Sequence, residues 1–122
     1  MSDVPGKVIT IDQLDQMFSN IKEQGQWDLS KPLLWGYFFT DNDPEKLASI
    51  APKLENMGYK YVGIFQADKE DPKEPDIYFL HVEKIEVHDS KSLDVRNDEF
   101  YIFANKEGID SYDGMDVGPV EH

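Results

Sequence analysis

The segment Ile77 to Val87 carries the residues whose types and spacing come closest to a metal site. In "IYFLHVEKIEV", His81 and Glu83 are two positions apart, so both point to the same side of a strand. His88 follows at the opposite parity, and a metal ion would need a third ligand from elsewhere. Lone strand histidines are more often surface or core residues, and H-E-x-x-H, G-x-S-x-G and Gly-rich phosphate-loop motifs are missing. We therefore predict that the protein is not an enzyme and has no catalytic, metal-binding or cofactor-binding residues.

Acidic side chains are the stronger candidates for a functional contact. The chain has 25 acidic and 12 basic residues and a net charge of −13. Such a field repels nucleic acid and anionic lipid and favours a basic partner. We place the contact on the loop "ADKEDPKEPD" and on the segment "YDGMD". The candidate partner-binding residues are Asp71, Glu74, Tyr112, Asp113 and Asp116. The alternative is that the loop is merely solvated and that Asp113 only caps a turn.

The aromatic residues of "LLWGYFF" allow two interpretations. Trp35, Tyr37 and Phe39 alternate, so they share one side of a strand. RNA-recognition modules stack bases on aromatics placed in this way on an open sheet face. Basic residues that would hold phosphates are scarce, so packing under helices is favoured and no direct nucleic-acid binding is predicted.

Length and composition indicate a single domain over residues 1–122, with a core at about 31–120 and an N-terminal helix at about 10–25. The chain has no cysteine, which excludes disulfides and thiolate metal sites and suits a reducing compartment. No stretch approaches the roughly 18 apolar residues of a membrane span. We therefore expect a cytoplasmic protein that does not bind membranes.

Three helices are predicted from their start and stop signals. The signals are Thr10 and Gly25 for the first helix, Asp43 and Gly58 for the second, and Asp89 or Ser90 and Gly108 for the third. Gln13 lies at the capping-box distance from Thr10. Pro52 removes a backbone hydrogen bond inside the second helix, so a kink or an early break is expected there.

Four strands complete the pattern. They are predicted at Leu33–Phe39, Tyr59–Gln66, Ile77–Val87 and in "DGMDVG". After the first helix the order is strand, helix, strand, strand, helix, strand, which is typical of an α+β ferredoxin-like split βαβ fold with two helices on one face of an antiparallel sheet. The final strand then pairs beside the first, entered by a turn at Asp113-Gly114 and ended by Gly118-Pro119. The extra helix packs on the open sheet face or on the rim of the helical layer.

Arg96 and Asn97 are candidate structural anchors. They lie toward the apolar face of the third helix, where a charge needs a partner. We expect one of them to tie the final turn to the helix through Asp113 or through backbone carbonyls.

The segment from Leu33 to Val120 resembles the family named regulator of ribonuclease E activity B. The residues that carry the resemblance are Gly58-Tyr59, then Leu93, Arg96 and Asn97, and above all Tyr112-Asp113-Gly114. The resemblance implies a ferredoxin-like fold with an added N-terminal helix. It also implies a non-catalytic inhibitor that binds the C-terminal region of ribonuclease E and modulates RNA decay without touching RNA. The alternatives are an acidic interaction module, immunity-like or adaptor, with an unknown partner, and RNA binding on the open sheet face.

Overall fold

The computed structural model describes residues 4, 6–25 and 27–120 of the chain. These residues contain three helices and four strands. In chain order they are α1 (Ile11–Gln24), β1 (Leu33–Asp41), α2 (Pro44–Asn56), β2 (Lys60–Gln66), β3 (Tyr78–Glu86), α3 (Ser90–Glu107) and β4 (Ser111–Gly118). All three strand pairings are antiparallel, in the order β2-β3-β1-β4. The predicted α+β class and ferredoxin-like arrangement are confirmed.

The helices begin at side chains that accept backbone N–H groups of the first turn. Thr10 Oγ1 accepts from the Gln13 amide at 3.2 Å, and Gln13 Oε1 accepts in return from the Thr10 amide at 2.8 Å. Asp43 and Asp89 cap α2 and α3 in the same sense. Gly25 ends α1 with a φ of 64°, a conformation that favours glycine. No helix in the described ranges is both long and apolar enough to cross a membrane.

Helix α2 continues through Pro52 to Asn56, so the predicted early break is wrong. The proline still lacks the N–H group that an uninterrupted helix would use. Leu47, Ile50 and Leu54 lie on both sides of it and are buried against the sheet. Because the two halves of α2 share this buried face, packing holds them in one helix.

Strand β4 pairs with β1, as predicted, but Asp113-Gly114 is not a turn leading into it. Gly114 lies opposite Phe38 of β1, and Tyr112 lies opposite the next residue, Phe39. Asp113 is therefore the extra residue of a β-bulge within the strand. Gly114 has a φ of 125°, which side chains rarely adopt, so the bulge needs glycine at this position.

The core lies between the sheet and the helices, and α1 closes its rim. Trp35, Tyr37 and Phe39 of β1 face α2 and α3 and are at most 1% exposed. Helix α1 packs on α3, with Leu14 buried and the Phe18 ring 5.9 Å from that of Trp35. Of the two positions considered for the extra helix, it takes the rim. No helix covers the opposite sheet face within residues 6–25 and 27–120.

Candidate partner-binding surface

The acidic loop between β2 and β3 presents the first two predicted contact residues to solvent. Asp71 and Glu74 are exposed, and the Glu74 amide donates to the Asp71 carbonyl at 2.9 Å, which closes a turn. Asp71 Oδ1 also accepts from the Lys73 amide at 2.9 Å. Asp76, by contrast, is paired with Lys69 Nζ at 2.6 Å. The loop therefore offers Asp71 and Glu74, but not Asp76, as available carboxylates.

Tyr112 belongs to the core, which corrects its prediction as a partner contact. Its side chain is 1% exposed, and its hydroxyl donates to Asn97 Oδ1 at 2.6 Å. Burial raises the pKa of Tyr112 above its ordinary range. A partner could reach this ring only by opening the core. Asn97 thus contacts β4 through Tyr112, rather than through Asp113 or a backbone carbonyl.

Arg96 points away from the final strand and toward the end of β3, so its expected partner is also corrected. Its Nη1 lies 2.7 and 2.8 Å from the two carboxylate oxygens of Glu86. Glu86 Oε2 also accepts from the Tyr37 hydroxyl at 2.8 Å and lies 3.0 Å from His88 Nε2. Burial opposes ionisation of this carboxyl, but the hydrogen bonds from His88, Arg96 and Tyr37 outweigh it and lower the pKa of Glu86 to about 2.

The low pKa of Glu86 makes stability depend on acid pH. The pKa of Glu86 is about 2 in the folded protein and near 4.5 in an unfolded chain. The stabilising contribution of the ionised carboxylate is therefore fully present above pH 4.5 and is lost as the pH falls through 2. We expect Glu86 to account for about 1 to 2 kcal/mol of the fall in unfolding free energy between about pH 5 and pH 3, after allowance for solvent screening. Urea unfolding at both pH values measures the fall. The Glu86→Gln variant should show a smaller one; an equal fall in both proteins would contradict the assignment.

The uncovered sheet face carries a different set of aromatics from the one considered for RNA. Trp35, Tyr37 and Phe39 face the helices, so a stacking platform on those rings is excluded. The alternate positions of β1, β2 and β3 place other rings on the uncovered face, namely Phe38, Phe65, Phe79 and His81. Phe38 stacks on His81 with ring centroids 4.4 Å apart and lies 6.0 Å from Phe79. This set is called the open-face aromatics below.

Two carboxylates flank a glycine beside these rings. Gly36 of β1 lies opposite Glu83 of β3 on one side and opposite Asp116 of β4 on the other. A Cβ atom at Gly36 would lie 2.4 Å from Asp116 Oδ1 and 2.8 Å from His81 Nε2. Only glycine therefore allows both side chains to approach. A hollow of about 240 Å³ opens here, bounded also by Leu34 and by the end of β4. It is called the Gly36 hollow below.

The charges at the Gly36 hollow are largely unpaired within the described residues. The nearest cation to Glu83 is Lys60, whose Nζ lies 3.9 Å from Oε1 and whose side chain is 78% exposed. Asp116 forms no ion pair with any described residue, and His81 Nε2 is buried with no hydrogen-bond partner among them. The hollow thus has acceptors ready for a cationic donor.

The predicted contact residues are only partly brought together. Asp116 borders the Gly36 hollow, and Asp113 is exposed at the bulge nearby in β4. The acidic loop leaves the sheet at the level of Asp41, which pairs with the first residue of β3. Gly36 and Asp41 are five residues apart in β1, which corresponds to about 17 Å. Asp71 and Glu74 therefore do not share a site with Asp116.

Among the described residues, the possible metal site of His81 and Glu83 has no third ligand. His81 and Glu83 share the open face, as their spacing predicted, whereas His88 lies on the helical side with Glu86. No group of three potential ligands close enough to hold a metal ion occurs in residues 6–25 and 27–120.

Sequence reasoning missed two parts of this surface. Phe38 was not considered, although its parity relative to Trp35 and Tyr37 already assigns it to the other face, whereas the face of Phe79 depends on how β3 pairs with β1. Glu83 was considered only as a metal ligand. Its position opposite Gly36 depends on the pairing register, for which a sequence carries no direct signal.

The fold and the surface together define an acidic α+β protein of the ferredoxin-like class, with a hollow bordered by two carboxylates on its open sheet face. The family model for "Regulator of ribonuclease activity B" matches residues 11–117, so the chain belongs to that family. Membership implies a role in regulating ribonuclease activity, and the family is not a catalytic one. Comparison with curated proteins gave no match.

Proposed function

We propose that this protein binds ribonuclease E in its basic C-terminal region and inhibits or modulates the enzyme, thereby regulating RNA decay. The observation that carries the proposal is the family match over residues 11–117. Regulation by binding needs no catalytic residues, and the proposal includes a cytoplasmic location because the RNA that ribonuclease E degrades is there. The net charge of −13 supports a basic partner rather than RNA itself.

Electrostatic attraction supplies the mechanism. An arginine-rich segment that holds RNA would be attracted by the acidic field, so the protein and RNA would compete for the same basic residues. Exposed carboxylates contribute to this attraction, and we assign that role to Asp71, Glu74, Asp113 and Asp116. Salt screens interactions between exposed charges over about 10 Å at ordinary ionic strength. Both binding and inhibition should therefore weaken as salt is added.

Calorimetric titration into the purified C-terminal region of the host's ribonuclease E tests the proposal. We expect a dissociation constant in the micromolar range or below at low salt, weakened about tenfold when the salt concentration is raised about fourfold. An unrelated acidic protein of similar net charge serves as the control for non-specific attraction. No heat of binding at low salt, or equal binding by the control protein, would overturn the proposal.

A further inference from the structure

We infer that the open face of the sheet is the docking surface for an extended, arginine-bearing segment of a partner protein, with one guanidinium group seated in the Gly36 hollow between Glu83 and Asp116. The identification of that partner as ribonuclease E rests on the proposed function. The docking surface itself rests on the geometry of the described residues.

The shape of the open face suits an extended segment. Because Gly36 has no side chain, Asp116 and His81 reach over its backbone, and the hollow opens there between two carboxylates, one from each neighbouring strand. The open-face aromatics continue from it along β1 and β3, starting with Phe38 two residues further along β1. A segment lying along this surface can thus place a cation in the hollow and apolar side chains on the rings.

The charges of the hollow favour a cation, and its surroundings favour arginine. The Glu83 side chain is only 18% exposed, and its one ion-pair partner among the described residues is Lys60 at 3.9 Å, so a closer cation would gain from the reduced solvent screening. A guanidinium group is planar and can donate to two carboxylates while stacking on an aromatic face. Phe38 and His81 stack in nearly parallel planes, 23° apart, beside the hollow. A lysine ammonium would meet the charges, but it is not planar, so it could not stack on the rings or donate in a fork to two carboxylates.

The same charges disfavour the other possible occupants. A phosphate backbone would approach Glu83 and Asp116, and among the described residues Lys60 is the one cation within 4 Å of either carboxylate to offset the repulsion. A second copy of the chain would bring another net charge of −13 against the same carboxylates. A basic protein segment is the occupant whose charge complements this face.

Paired double variants of the full chain test the inference. Glu83→Gln with Asp116→Asn removes the two carboxylates of the hollow, and Asp71→Asn with Glu74→Gln removes two from the loop, so both variants change the net charge equally. The probes are a short fluorescein-labelled arginine–leucine peptide, its lysine–leucine counterpart, a single-stranded RNA oligonucleotide and the purified C-terminal region of ribonuclease E. Anisotropy and calorimetry give affinities, and thermal unfolding verifies that each variant is folded.

We expect the hollow variant to bind the arginine peptide and the ribonuclease region at least about tenfold more weakly than the unmodified protein, with little change in melting temperature. The loop variant should stay within about threefold, because its two carboxylates lie away from the hollow and contribute only long-range attraction that salt screens. The lysine peptide should bind more weakly than the arginine peptide. A Gly36→Ala variant, whose added Cβ displaces Asp116 and His81, should also weaken binding.

The outcomes separate this inference from the proposed function. If the ribonuclease region binds but both double variants weaken it equally, the docking surface is wrong and the proposed function stands. If that region does not bind while the arginine peptide still depends on Glu83 and Asp116, the proposed function fails and the docking surface stands. RNA binding on this face, or dimerisation in sedimentation that the hollow variant alters, would overturn the inference.

Discussion

Replacing Glu86 with alanine is expected to lower the free energy of unfolding by about 3 kcal/mol, the low end of the usual result for one partner of a buried ion pair, because this pair is only partly buried. The carboxylate is 11% exposed and binds Arg96 through both oxygens. Without it, Glu99 at 3.8 Å is the one ion-pair partner left to the guanidinium group among the described residues, and that carboxylate is 66% exposed. The Tyr37 hydroxyl loses its shorter hydrogen bond at the same time and keeps only His88 Nε2, at 3.2 Å, among the described residues. Most of the loss comes from these stranded polar groups rather than from the pair itself.

Urea unfolding followed by tryptophan fluorescence measures the loss, since the Trp35 ring lies 5.2 Å from that of His88 beside the cluster. Glu83→Ala, on the open face, is the matched control and should change stability by at most about 1 kcal/mol. A double variant, Glu86→Leu with Arg96→Met, should recover part of the loss because it removes both charges. If Glu86→Ala costs no more than the control, the cluster does not stabilise the fold.

Asp41→Asn is expected to lower the free energy of unfolding by about 2 to 3 kcal/mol, even though the two side chains have nearly the same shape. The Asp41 side chain is fully buried and joins two segments at the end of β1. Its Oδ1 accepts from the Asp43 amide at 2.8 Å, just before α2, and its Oδ2 accepts from the Asp110 amide at 3.0 Å, just before β4. An asparagine amide has one oxygen, so one of the two backbone N–H groups would face another donor.

The control for Asp41 is its neighbour Asp43, which also accepts a backbone N–H but is a helix cap near the surface. Asp43→Ala should cost only about 1 kcal/mol. Amide hydrogen exchange adds a local readout, because Asp110 should lose protection in Asp41→Asn and keep it in Asp43→Ala. Equal stability losses in the two variants, with Asp110 still protected in both, would contradict this role for Asp41.

The features that were predicted correctly are those in which the interacting residues are close in the chain. Thr10 and Gln13 lie within one helical turn, so their capping box is visible in the spacing alone. The early break predicted at Pro52 is wrong because burial of α2 against the sheet outweighs the local effect of the proline. The turn predicted at Asp113 is wrong because Asp113 becomes part of a bulge only through pairing with β1, some seventy residues earlier in the chain.

For the surface residues too, local features could be predicted from the sequence and long-range contacts could not. The parity of β1 could have assigned Phe38 to the open face, and net charge alone favoured a basic partner. The meeting of Glu83 and Asp116 around Gly36 needed the register of three strands. The pairing of Arg96 with Glu86 needed the direction of β3 and the rotation of α3 together. Spacing cannot supply contacts of this kind, because each depends on how separate elements pack.

The position of β4 in the sheet has a consequence for how the chain folds during synthesis. Strand β4 leaves the ribosome after the six other described elements, yet it pairs with β1, the second of them. Until it arrives, the place later filled by Tyr112 beside Phe39 and Phe100 is empty, and those rings lack a neighbour 5.3 Å away. Pairing over so long a sequence separation also slows folding. A nascent chain that still lacks β4 thus has an incomplete core with exposed aromatic rings. Binding by chaperones matters most at that stage.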